Sequence, residues 1–164
     1  MKHYKNIYKI DHIISSVIVE MFETNDYIVS WDQSKYLTAS SFLFIIPGIY
    51  AYYKGLHFIY STLLFATSFI SANYWRKATY SWRRNLDLAI AKVSFTFFAT
   101  NGIVYVNYIP YVITGYIGMA TLIYCYYLSG TLFEQKNENW WKYHMLFHFL
   151  MAGVLFIILE SVRI

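Results

Sequence analysis

The chain is 164 residues long, 58% hydrophobic and 13% charged, with a formal net charge of +4 and a mean hydropathy of +0.37. A water-soluble domain carries about 25% charged residues, so this composition excludes an ordinary soluble fold and makes lipid the expected solvent. The small positive excess does not suggest nucleic acid as a partner, and the single cysteine, Cys125, excludes both an internal disulfide and a cysteine-based zinc cluster.

In chain order, residues 1–35 come first. Ile7, Ile10, Ile14, Val17, Ile18 and Met21 recur at helical spacing, while Lys5, Lys9, Asp11, Glu20 and Glu23 interrupt any apolar run. That pattern predicts an amphipathic helix lying in the membrane interface. No small-residue cleavage site follows a clean apolar core, so a secretory signal is not expected.

A spanning helix needs about 20 mostly apolar residues. The windows 56–74, 86–105, 109–129 and 140–159 meet that need, and 36–53 is slightly short and carries Pro47-Gly48, which a membrane helix tolerates as a kink. The expected fold is therefore all-α: an integral membrane bundle of about five transmembrane helices over residues 36–164, with short connections and an up-down course. No internal repeat or low-complexity tract interrupts it.

Lysine and arginine set the expected orientation. Five spans put the N-terminal tail, the 75–85 connection and the 130–139 connection on one side. That side holds Lys2, Lys5, Lys9, Lys35, Arg76, Lys77, Arg83, Arg84, Lys136 and Lys142; the other holds Lys54 and Arg163. The N-terminus is expected in the cytoplasm and the C-terminus across the membrane. Trp31, Trp75, Trp82, Trp140 and Trp141 all fall near the cytoplasmic boundary, as an interfacial belt would.

Ionisable residues inside spanning helices are costly and are read first as functional candidates. Asp87 enters its helix from the cytoplasmic side, as do His144 and His148, which are four apart and share one helix face. Ser71, with Ser68 beside it, approaches the same end of its own helix. Topology alone gives these groups a common depth. Two imidazoles at that spacing can bind one zinc from a helix face, with a carboxylate to complete or orient the site; two histidines near an interface also serve as simple headgroup contacts. Lys92, further along the Asp87 helix, is open to three roles: a partner for a carboxylate, a side chain that snorkels to the interface, or a fixed positive charge in place of a metal. Asn101 reads as a bond to a neighbouring helix, and the arginine-rich connection can meet anionic headgroups.

The stretch "SANYWRKATYSWRRNLDLAIAK", residues 71–92, resembles the Ser-x-x-Tyr-His … Arg-Arg-x-Leu-Asp segment of the haemolysin III and progestin-and-adipoQ receptor proteins. "YHMLFHFLMAG", residues 143–153, resembles their final-helix His-x-x-x-His, and "FETNDYIVS", residues 22–30, faintly echoes an N-terminal stretch of the related alkaline ceramidases. The resemblance implies a membrane hydrolase site in which three histidines hold zinc beside a serine and an aspartate. Carried over by position, Ser71 and Asp87 would be the catalytic pair, and His144 and His148 metal ligands.

Two departures stand against it. Trp75 occupies the place of the first zinc histidine, and the family has seven spans where this chain has five. His12 on the N-terminal helix, or Asp87 itself, would have to supply the third ligand; a solvated His12 is the simpler reading. The resemblance therefore leaves two expectations. One is a non-catalytic lipid-binding or scaffold relative without zinc; the other is an active zinc-dependent hydrolase of a ceramide-like lipid amide or ester. Membrane lipids are the expected partners in both, and nothing in the sequence fixes the oligomeric state.

Overall fold

The computed structural model describes residues 27–162. The expected interfacial helix, with His12 on it, lies outside the described residues except for its last positions. Five helical rods follow. The first is α1 (Trp31–Ser41), a single 3-10 turn (Phe42–Phe44) and α2 (Ile45–Tyr53). Then come α3 (Ile59–Trp75), α4 (Trp82–Tyr105), α5 (Ile109–Glu134) and α6 (Trp140–Ser161). Among the described residues the sole β-type pairing is an isolated bridge between Tyr27 and Thr79.

Proline chemistry explains the break in the first rod. Pro47 brings no N–H and its ring crowds the carbonyl four residues back, at Leu43. The helix loosens there into the 3-10 turn and resumes as α2. The interruption expected at Pro47-Gly48 thus falls one turn upstream.

Helix ends differ from the hydropathy windows in a consistent way. The first rod begins at Trp31 rather than 36, α4 at Trp82 rather than 86, and α5 continues to Glu134 rather than 129. Polar residues can continue a helix through the headgroup region although they depress hydropathy. The second window, by contrast, starts three residues before its helix: Leu56–Phe58 precede α3.

The helices α4, α5 and α6 are long and apolar enough to cross a membrane. Only 11% of the most apolar stretch of α4 and 17% of that of α5 is buried inside the protein, so their apolar side chains face outward. Ile103, Ile109, Tyr116 and Ile117 are exposed in this way. In water such a surface would be untenable; in hydrocarbon it is the required one. The chain is an all-α integral membrane bundle. The 17 residues of α3 reach about 26 Å, at the short end of what a spanning helix needs.

Polar contacts fix the directions of the rods. Trp140 Nε1 donates to Gln33 Oε1 at 3.0 Å, joining the starts of α1 and α6. At the other end Lys54 Nζ donates to the Leu159 and Glu160 carbonyls at 2.9 and 2.8 Å and pairs with the Glu160 carboxylate, to which Tyr50 also donates. The first rod and α6 therefore run parallel. Tyr60 OH donates to Asn101 Oδ1 at 2.5 Å, tying the start of α3 to the end of α4, so Asn101 serves a neighbouring helix.

Two apolar clusters hold the rods together. One, built on Phe44, Leu64, Phe98, Leu122, Leu155 and Leu159, fills the middle. The other joins Val29, Leu37, Tyr74, Trp75, Ala78 and Trp140 at the tryptophan-rich end. The tryptophans thus divide: Trp31 and Trp82 are exposed, as interfacial residues are, while Trp75 and Trp140 are core. Helix α6 is the hub, packing on every other rod, and it meets α3 through Trp75 against Trp140 and His144. Helix α5 makes its substantial contacts with α6 alone, and α4 rests on α3 and α6. Although a short connection joins α4 to α5, their flanks scarcely touch.

Candidate functional site

Residues of α4 and α5, two helices that scarcely touch, both line a cavity of about 380 Å³, within the range of small-molecule sites. Most of its wall is apolar, with Phe44, Phe95, Phe98, Leu122, Met151 and Leu155 contributing. Ser71, Asp87, His144 and His148 all line it, so the four side chains singled out in the sequence meet at one space. Ser71, Asp87 and His148 are buried, and His144 is half-buried.

Each polar group is held from a different element. The Ser71 hydroxyl on α3 and the Asp87 carboxyl on α4 line the same cavity. Behind Ser71, Ser41 Oγ lies 3.1 Å from the Ser71 Oγ. No cation partners Asp87: the ion pairs among the described residues are Lys35–Asp32 and Lys54–Glu160. Its carboxyl is therefore a buried group with a hydroxyl neighbour and spare acceptor capacity facing the cavity.

The two imidazoles sit edge to face, with ring centroids 5.0 Å apart. His148 Nδ1 is 2.8 Å from Ser40 Oγ, and Ser40 Oγ also donates to the Leu37 carbonyl at 3.1 Å. Ser40 thus bridges the His148 ring and the Leu37 carbonyl, fixing the imidazole's orientation. His144 Nδ1 lies 3.4 Å from Ser129 Oγ on α5. A second hydroxyl pair on the cavity wall, Thr67 Oγ1 with Ser94 Oγ at 2.8 Å, links α3 to α4.

Sequence reasoning passed over Ser40, Ser41 and Ser129. Their only signal was hydroxyls spaced inside apolar helices, as in "TASS", residues 38–41. Such residues usually bond their own helix backbone, and Ser40 and Ser41 do so, both to Leu37. What the sequence does not carry is the second bond each makes across to another helix.

Zinc fits these residues poorly. A catalytic zinc takes three protein ligands and an open position, and among the described residues no group of three His, Cys, Asp or Glu side chains converges on one point. Trp75 stands against the pair instead. Its ring meets that of His144 at 5.0 Å, edge to face, and its indole N–H is buried without a partner among the described residues.

Against protein-family models, curated proteins and solved structures, the chain has no match.

Proposed function

We propose that this chain is a lipid-binding membrane protein, a non-catalytic relative of the membrane lipid amide hydrolases. The cavity supports this reading: an apolar chamber with a cluster of hydroxyl, carboxyl and imidazole groups, open sideways between α4 and α5. A lipid can enter such a chamber from the bilayer with its chain among Phe95, Phe98, Leu122 and Leu155 and its polar part at Ser71, Asp87 and His148. Among the described residues no third imidazole joins His144 and His148, and Trp75 packs against His144; this favours binding over zinc-dependent hydrolysis.

Within this reading the tryptophan-rich end faces the cytoplasm, since the arginine-rich connection and most of the lysines lie at that end. The test is lipid extraction from protein purified in a mild nonionic detergent, followed by mass spectrometry. One dominant single-chain or N-acyl lipid is expected, depleted when Phe98→Trp fills the chamber. A lipid profile identical to that of the bulk membrane, unchanged in the variant, would refute the proposal.

The convergence of Ser71, Asp87, His144 and His148 on one cavity favours a second reading, an active hydrolase. It requires zinc in the purified protein that His144→Ala/His148→Ala loses, and release of fatty acid from an N-acyl lipid that Asp87→Asn abolishes.

A further inference from the structure

Lys92 is the eleventh residue of α4, about 15 Å along the helix from Trp82. Trp82–Asn85 belong to the headgroup region, so Lys92 lies about 9 Å inside a hydrocarbon core about 30 Å thick, where a lysine is among the most expensive residues. It is exposed and lines the cavity, and it has no hydrogen bond or ion pair among the described residues. Side chains on a helix lean toward its N-terminus, so the ammonium reaches back toward the depth of Asp87. Full escape to the interface would need more than the length of the side chain.

Lys92 and Asp87 do not neutralise each other. They are five residues apart on one helix, about 140° around its axis and about 7.5 Å along it, and no ion pair joins them. The cavity thus presents one unpaired cation and one carboxyl from different directions, together with imidazoles and hydroxyls. Each simpler headgroup leaves a cost. An anionic head would satisfy Lys92 and face Asp87 as a like charge; a cationic head would do the reverse. A neutral head would leave both charges in low dielectric without a partner. A head carrying both signs answers each with its opposite.

On the reading of the chain as lipid-binding, we infer that the ligand is a single-chain lipid with a zwitterionic head, its anionic oxygen on Lys92 and its ammonium on Asp87. A lysophospholipid with a primary amine has that chemistry: phosphate and ammonium a few bonds apart, on one acyl chain.

The test is native mass spectrometry of the full chain in nonionic detergent. The protein is offered an equimolar mixture of palmitoyl lysophosphatidylethanolamine, palmitoyl lysophosphatidate, hexadecylamine and monopalmitin. The zwitterion is expected to lead each of the others by about tenfold in occupancy, the scale of one well-placed charge pair. Lys92→Gln, at an exposed position where folding is not at stake, should bring the zwitterion down to within about threefold of hexadecylamine without weakening monopalmitin; Lys92→Arg should restore the preference. Equal occupancy by all the lipids would leave lipid binding standing and overturn the headgroup assignment, as would a preference that survives Lys92→Gln. No occupancy by any of them would overturn this inference and the lipid-binding proposal together.

Discussion

His148 shows how much a single hydroxyl decides in this interior. Its Nδ1 is held by Ser40, which is itself anchored to Leu37. Replacing that serine leaves a buried imidazole nitrogen without a partner, at a cost of about 1–3 kcal/mol. Ser40→Ala should therefore lower the thermal unfolding midpoint in detergent, and the loss should shrink when His148→Phe is present as well, because no polar ring then remains to be orphaned. Additive effects would show that the 2.8 Å contact contributes nothing. The sequence exposed His144, His148, Asp87 and Ser71 because charged or titratable side chains are conspicuous in apolar helices. It concealed Ser40, Ser41 and Ser129, since a serine in such a helix looks the same whether it bonds its own backbone or reaches across. Trp75 was visible as a departure from the resemblance, but its edge-to-face contact with His144 is a fact of packing alone.

Helix α5 is held almost wholly by α6, so the quality of that seam governs whether the cavity keeps its far wall. Gly118 lies at the closest approach: a Cβ there would come within 2.7 Å of Val154 Cγ2. Valine in a helix has one strongly preferred rotamer, so it cannot swing clear. Gly118→Ala should destabilise the protein by about 1–3 kcal/mol, whereas Gly115→Ala, which meets nothing within 4 Å, should be neutral or slightly stabilising. Equal midpoints for the two variants in detergent would contradict the packing. Hydropathy located all five rods, because apolar run length is set by the bilayer. It misplaced their ends, because Trp82–Asn85 and Gly130–Glu134 are polar or mixed yet remain helical. The break at Phe42–Phe44 was legible in kind from Pro47; its position follows from which carbonyl the ring crowds.

The bundle has two unlike ends. One gathers Trp31, Trp82, the arginine-rich connection and the short loop after α5; the other is closed by the Lys54–Glu160–Tyr50 contact. If charge bias orients the chain, Glu138→Cys, in the exposed loop before α6, should react with a membrane-impermeant maleimide only after cells are opened. His57→Cys, exposed at the far end, should react in intact cells. The native Cys125 is buried and gives a low background. The reverse pattern would invert the orientation. No single window of sequence holds the cavity's lateral opening, because it arises from two helices adjacent in the chain that each chose α6 as neighbour instead of one another.

On the lipid-binding reading, an opening on that side would set how occupancy responds to the cell. A ligand that slips between α4 and α5 never dissolves in water on its way, so the governing concentration is its mole fraction among the surrounding lipids. By mass action the bound fraction then follows membrane composition. A rise from trace to a few per cent of one lipid species in the bilayer would fill the chamber even while its aqueous level stayed negligible. The protein would act as a gauge of what its own solvent is made of.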